Sequence, residues 1–218
     1  MRIGIIGAGN IGGTLTRRLS ALGHEVVVSN SRGPQTLEDL AEETGATVAL
    51  AAVAAEGAEL VIVTIPERAI PLLPAGILDG AAPGAPIVDT GNYYPQRDGR
   101  IAEIEDGMTE SRWVSSQLGR PVVKAFNGIQ ARHLLELGLP RGTPGRIALP
   151  VAGDDPAAKA VVMRLVDELG FDPVDAGGID DSWRQQPGTP VYGADLDAAG
   201  VANALGQASP ERRPDFRA

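Results

Sequence analysis

The sequence predicts an α/β protein built on a doubly wound, mostly parallel sheet of about eight strands, with helices on both faces. Three observations predict it. Strand-sized apolar runs alternate with helix-sized segments along the 218 residues. The first run, Arg2-Ile3-Gly4-Ile5-Ile6, leads at once into Gly7-Ala8-Gly9-Asn10-Ile11-Gly12. Beyond it, Ile11, Leu15, Leu19 and Leu22 recur at helical spacing, and Gly23 is placed to end the helix. Strand, glycine turn and helix in this order turn G-x-G-x-x-G into a dinucleotide-binding signature on a Rossmann-like fold; an ordinary glycine-rich turn is the alternative. Gly7 allows the tight turn, Gly9 lets a pyrophosphate approach the backbone, and Gly12 lets helix and strand pack closely. The free N–H groups at the helix start, around Asn10 and Ile11, would hold the phosphates.

Glu25-Val26-Val27-Val28-Ser29 is the second strand. An NAD site usually places Asp or Glu after it to hold the ribose 2′-hydroxyl. Here stand Asn30, Ser31 and Arg32: an amide, a hydroxyl and a guanidinium that all donate to phosphate oxygens. This favours NADP(H), the alternative being that Arg32 is a solvated loop residue. Pro34 suits the start of a helix whose buried face carries Leu37, Leu40 and Ala41, with Gly45 as its cap. Residues 46–50 form a third strand and 51–58 a short alanine-rich helix. Residues 59–66 form a fourth strand, apolar throughout and therefore central, stopped by Pro66. Ligands sit outside the carboxyl ends of such strands, so Thr64, Ile65 and Pro66 are expected beside the cofactor unless they merely end the strand.

Residues 67–78 read as a helix interrupted by Pro71 and Pro74, and 85–90 as a fifth strand. The polar loop 91–100 follows on the ligand edge. Its Tyr93 and Tyr94 are either a platform for a flat substrate or loop anchors. Residues 109–118 are helical, and 121–127 form a sixth strand that brings Lys124, Ala125 and Asn127 to the same edge. Lys124 reads equally as a strand-end charge or an active-site cation. Residues 128–139 form a helix in which His133 is a surface residue rather than a proton donor. Residues 147–153 are a seventh strand, followed by a helix capped by Asp154 or Asp155 and started by Pro156. Residues 171–177 are an eighth strand, at an edge because of Pro173. The aperiodic stretch 180–193 is a candidate substrate lid or a packed surface coil. One domain over 1–193 with one continuous sheet is expected, then a short helix and a frayed tail over 194–218.

Bulk properties narrow the function. The formal net charge of −9 opposes a nucleic-acid or anionic-membrane partner. There is no cysteine, and His24 and His133 are the only histidines, so thiolate chemistry and a histidine-rich metal centre are excluded; no metal is expected. The apolar runs are too short to span a membrane. The first strand starts at the N-terminus, so no leader is expected. A cytoplasmic protein acting on a small-molecule redox substrate is the expectation, with a homodimer as the default assembly.

The sequence resembles the coenzyme F420-dependent NADP oxidoreductases (NADPH:F420 reductases). The resemblance runs from Met1 to about Tyr192. It rests on Ile5-Ile6-Gly7-Ala8-Gly9-Asn10-Ile11-Gly12, Ser29-Asn30-Ser31-Arg32, Val63-Thr64-Ile65-Pro66, Lys124-Ala125-Phe126-Asn127, and Gly153-Asp154-Asp155 leading into Leu169-Gly170-Phe171. It implies hydride exchange between NADP(H) and a deazaflavin (F420) or a flavin (FMN or FAD). It also implies that the glycine turn and the Ser31/Arg32 segment hold NADP(H), with Thr64-Ile65-Pro66 by the nicotinamide. Such a transfer needs stacking and exclusion of water more than acid–base chemistry. No residue is therefore expected to be an essential proton donor. Ile65 and Pro66 would form an apolar wall, and Ala125 or Asn127 would meet the nicotinamide carboxamide or the second ring. Two other readings stand beside this one. An NADPH-dependent imine or carbonyl reductase would need a donor such as Tyr93, Tyr94 or Lys124. A non-catalytic NADP(H)-binding sensor would need none.

Overall fold

The computed structural model describes all 218 residues. The element order is β1 (Arg2–Ile6), α1 (Asn10–Ala21), β2 (Glu25–Ser29), α2 (Glu38–Thr44), β3 (Thr47–Val48), α3 (Ala51–Ala54), β4 (Leu60–Val63), β5 (Ile87–Asp89), α4 (Pro95–Asp98), α5 (Ala102–Glu105), α6 (Glu110–Leu118), β6 (Val123–Lys124), α7 (Ala131–Glu136), β7 (Ala148–Val151), α8 (Pro156–Glu168), β8 (Asp172–Asp175) and α9 (Ala198–Gly206), with 3-10 turns at Pro34–Leu37, Glu67–Leu72, Ile179–Gln185 and Pro214–Phe216. Six strands form an all-parallel sheet in the order β3-β2-β1-β4-β5-β6. This is the doubly wound order, and its direction reverses between β1 and β4. The register pairs Ile6 with both Ser29 and Val63, so Gly7, Asn30 and Thr64 leave the sheet side by side. At the next strands Asp89 pairs with Lys124, again at the carboxyl ends.

β1 and β4 are buried along almost their whole length, as strands covered on both faces must be. One core packs Ile3, Ile5, Leu15 and Leu19 against Leu134 and the α8 residues Val162, Leu165 and Val166. The opposite face packs Val61, Val63 and Ile87 against Ile70, Tyr93, Trp113 and Val114.

The expected single sheet is corrected. β7 and β8 pair only with each other, in parallel, and join the main sheet through an antiparallel bridge between Lys124 and Ala152. Where the two sheets touch, β7 therefore runs against β6 rather than alongside it. Pro173 does sit on an edge strand, paired to Leu149.

Smaller differences also have local causes. Residues 67–78 are a 3-10 turn over Glu67–Leu72, because Pro71 removes a backbone donor that an α-helix needs. The 51–58 helix contracts to Ala51–Ala54, and 128–139 to Ala131–Glu136. The 180–193 stretch is packed rather than loose, with Ser182, Gln185, Gln186 and Val191 buried. The last ten residues, expected to fray, also dock. Arg212 reaches the buried Glu110 at 2.8 Å, and the Gln96 amide donates to the Asp215 carbonyl at 2.8 Å.

Candidate functional site

The glycine turn has the geometry its spacing implies. Gly7 adopts φ +111°, and a Cβ there would lie 2.3 Å from the Thr64 carbonyl oxygen. At Gly12 a Cβ would lie 1.9 Å from the Gly7 carbonyl oxygen and 2.7 Å from the Thr64 methyl, so helix and strand touch through missing side chains. At Gly9 a Cβ would meet nothing within 4 Å. The space above Gly9 is therefore open, which is what a group lying on the backbone requires. Gly9 is the N-cap of α1 and brings no side-chain cap; its carbonyl accepts from the Gly13 N–H at 2.8 Å. The N–H groups of Asn10, Ile11 and Gly12 have no partner in the fold, and no acidic residue stands in the first turn. Unpaired donors at the positive end of a twelve-residue helix fit a pyrophosphate.

Asn30, Ser31 and Arg32 follow β2 beside that opening. The Asn30 side-chain Oδ1 accepts from the Arg32 N–H at 3.0 Å, and its side-chain amide donates to the Thr36 hydroxyl at 2.8 Å. Asn30 thus shapes the turn rather than pointing freely outward. Ser31 and Arg32 are exposed, and the Arg32 guanidinium has neither an ion-pair partner nor a hydrogen bond. No carboxylate stands where the ribose 2′-position would lie.

On the far side of the switch point, Thr64, Ile65 and Pro66 are half-buried and continuous with the glycine turn, since the Ile65 methyl lies 2.7 Å from where a Gly7 Cβ would sit. Asn127 is 5 % exposed and its amide is fully engaged. It donates to the Asn92 side chain at 3.0 Å and the Gln185 carbonyl at 2.7 Å, and accepts from the Gln185 amide at 3.1 Å. Ala125 is wholly buried, with its N–H donating to the Asp89 carbonyl. Between them Phe126 takes φ +62°, a strained conformation for an aromatic residue, which turns its ring into the core and Asn127 toward Asn92. The structure thus gathers Gly7, Gly9, Asn10, Ile11, Gly12, Thr64, Ile65 and Pro66 at one opening flanked by Asn30–Arg32. Asn127 locks two loops beside it, and Ala125 lies beneath.

Beneath the 91–94 loop is a buried polar cluster that the motifs did not reveal. Lys124 is fully buried and donates to the Asp89 carboxylate at 3.0 Å and the Gly91 carbonyl at 2.6 Å. Asp89 also accepts from the Ser111 hydroxyl at 2.7 Å and the Gly91 N–H at 2.8 Å. Glu67 and Glu110 are fully buried beside them. Burial lifts the Glu67 carboxyl well above the carboxylate range, reinforced by Asp89. Burial also lifts Glu110, with Lys124 and Arg212 opposing. For Lys124 burial works downward, but Asp89, Glu110 and Glu67 outweigh it and hold the ammonium charged. The available sequence signal was an acid and a base ending adjacent strands, Ile87-Val88-Asp89 and Val122-Val123-Lys124. Its partners on α6 and after Pro66 are set by tertiary packing alone. Tyr93 is a buried anchor, its hydroxyl donating to the Gly99 carbonyl at 3.0 Å. Tyr94 meets Tyr192, hydroxyl to hydroxyl, and burial with that contact raises the Tyr192 pKa. His133 pairs with Asp195 at 2.6 Å.

Comparison with known proteins agrees with this geometry. Residues 2–93, the glycine turn through β5 and the start of the following loop, match the family described as NADP oxidoreductase, coenzyme F420-dependent. The Escherichia coli (strain K12) protein YjhV is 56 % identical over 67 residues, which are 31 % of this chain; the aligned stretch spans about half, 49 %, of that curated relative. Among solved structures, the hypothetical protein SMa0349 from Sinorhizobium meliloti is 30 % identical with TM-score 0.75, over 90 % of this chain and 95 % of that one. A candidate F420-dependent NADP reductase from Arthrobacter sp. FB24 is 27 % identical with TM-score 0.66, over 84 % and 87 %. A pyrroline-5-carboxylate reductase from Coxiella burnetii, 16 % identical with TM-score 0.56 over 84 % of this chain and 61 % of that one, shares the fold. With the signature turn, the doubly wound strand order and these likenesses together, the chain belongs to the F420-dependent NADP oxidoreductase family.

Proposed function

We propose that the protein transfers a hydride between NADP(H) and a planar deazaflavin or flavin ring. One observation carries the cofactor half: an unpaired, exposed arginine, Arg32, stands beside unpaired helix-start amides, with no carboxylate in between. A 2′-phosphate would join Arg32 and Ser31, and the pyrophosphate would lie over Gly9 on the N–H groups of Asn10, Ile11 and Gly12. Asn30 would hold the turn that presents them. Thr64, Ile65 and Pro66 would line the nicotinamide, with Asn127 and Ala125 behind it.

Support for a planar acceptor comes from the family and from the engagement of the basic candidates. Lys124 is sealed and paired, and His133 is tied to Asp195. The chain then contributes binding, orientation and water exclusion, while the hydride chemistry belongs to the cofactor pair when bound. Anaerobic mixing with NADPH and F420, FMN or FAD tests this by NADPH absorbance. Rapid loss with F420 or a flavin supports it; tight NADPH binding with no acceptor ever oxidising it points to a sensor instead.

A second reading rests on the Tyr94–Tyr192 hydroxyl pair at the same edge, both half-buried and protonated across neutral pH in the case of Tyr192. Reduction of an imine or carbonyl would use such a donor. Tyr94→Phe and Tyr192→Phe would abolish turnover under that reading and spare it under the first. A homodimer is the proposed assembly, checked by sedimentation equilibrium.

A further inference from the structure

Among the buried groups that the proposed hydride transfer does not use, Glu67 stands out by what it lacks. It directly follows Pro66 and is fully buried. Its Oε1 has no hydrogen-bond partner, and its Oε2 sees only the Arg97 guanidinium at 3.4 Å. Its neighbours on every packed element are charged: Asp89 at the end of β5, Lys124 at the end of β6, Glu110 on α6, and Arg97 and Asp98 on α4. Lys124 is committed to Asp89 and Gly91, Arg97 also holds Asp98, and the tail's Arg212 holds Glu110. Three cations therefore face four carboxyl groups, and Glu67 is the one left without a close donor. The Glu67 Oε1 and an Asp89 oxygen also converge on one spot, lying 2.6 Å and 3.0 Å from where a Gly91 Cβ would be. Two carboxylates meeting in a buried site repel unless one of them keeps its proton.

We infer that Glu67 is a neutral carboxylic acid in the folded protein, donating its proton to Asp89, and that this shared proton positions the 91–94 loop. Asp89 Oδ1 then accepts from both Glu67 and the Gly91 N–H, while Lys124 holds the Gly91 carbonyl. Gly91 is thus clamped on both sides. The next residue, Asn92, carries the lock outward, donating to the Asn127 carbonyl at 2.9 Å. Glu67 is a positioning residue: it touches neither nucleotide nor acceptor and acts through Asp89 and Gly91. The assignment of the 91–94 loop to the acceptor side rests on the function proposed above; the proton on Glu67 does not.

The sign of the pH effect follows from linkage. In the unfolded chain Glu67 ionises at the usual carboxylate value, while in the fold it keeps its proton to higher pH. The native state binds one proton more across that interval. The stability contributed is full below the unfolded value and is lost as pH rises until Glu67 ionises in the fold. Glu67→Gln preserves shape and neutrality, and its amide can donate to Asp89.

The test compares wild type with Glu67→Gln by urea unfolding across pH, by infrared spectroscopy and by amide hydrogen exchange, with no nucleotide or acceptor present. Relative to the variant, the wild-type unfolding constant is expected to rise roughly tenfold per pH unit through the interval. The carbonyl stretch of a protonated carboxylic acid is expected in the wild type and absent from the variant. The Gly91 amide, corrected for intrinsic exchange, is expected to lose protection with rising pH only in the wild type. Parallel pH profiles and identical infrared bands would overturn the inference. Should Glu67→Gln fail to fold, the infrared spectra of wild type and Glu110→Gln decide: a carboxylic-acid band that survives at neutral pH in both and fades on alkaline titration supports it, and its absence from Glu110→Gln refutes it. Because NADPH oxidation is not read, a failed acceptor assignment leaves these outcomes intact.

Discussion

Gly9 and Gly12 share a motif but differ physically, and their variants should separate. At Gly12 an added methyl would strike backbone, so Gly12→Ala should cost several kcal/mol and lower the thermal midpoint by roughly 10 °C or more. At Gly9 the methyl meets only open space within the protein. Gly9→Ala should leave stability within about 0.5 kcal/mol while weakening NADPH binding at least about tenfold, as measured by calorimetry. Arg32 gives the complementary test. Arg32→Asp should weaken NADPH about thirtyfold, on the order of 2 kcal/mol, through loss of a charge-assisted phosphate contact, and NADH far less. Equal losses for the two nucleotides would contradict the 2′-phosphate assignment.

At the scale of elements, the carboxyl ends of β5 and β6 are joined by charge rather than by further ladder. β6 holds only Val123 and Lys124, and past them Lys124 is spent on Asp89 and the Gly91 turn. Removing one partner of a buried pair strands the other. Lys124→Met should therefore destabilise by about 3–5 kcal/mol in urea unfolding, while Lys124→Met with Asp89→Asn should recover part of that loss. NADPH affinity of the folded fraction should persist, because Lys124 is sealed from the glycine turn.

Element boundaries were legible where the cause was local. Thr109, the first residue of the expected 109–118 helix, caps α6 by accepting the Arg112 N–H, and Asp155, one of the two candidate caps, caps α8 by accepting from Ala157 and Ala158. The placement of β7 and β8 was not legible. Their apolar runs look like any other strand of the sheet, and pairing direction depends on the tertiary path of the chain between β6 and β7.

Across the whole molecule, the C-terminal segment acts as a strap. Arg212 enters between α6 and the 3-10 turn at Ile179–Gln185, donating to Glu110 at 2.8 Å and to the Gln186 side-chain oxygen Oε1 at 3.1 Å while lying 5.2 Å above the Tyr93 ring. Phe216 packs 6.1 Å from the Tyr94 ring. The strap and the α5–α6 corner line an open polar cleft of about 870 Å³. Deleting residues 209–218 or substituting Arg212→Ala should destabilise by about 3 kcal/mol, since Glu110 is left buried without its cation. Adding Glu110→Gln to Arg212→Ala should restore much of it, and a double-mutant cycle in urea measures the coupling. No helix of the protein is long and apolar enough to cross a membrane.

The sequence by itself determined the nucleotide half of this protein: the first crossover, its three glycines and the single cation after β2, Arg32. Those features act within one or two turns of chain, so spacing and residue type suffice to specify them. Only the tertiary structure decided the other half. Glu67, Asp89, Glu110, Lys124 and Arg212 lie up to 145 residues apart, and their meeting depends on strand order, helix length and the path of the tail. A buried charge is tolerated solely by partners brought in from elsewhere, and no local pattern in the chain names those partners.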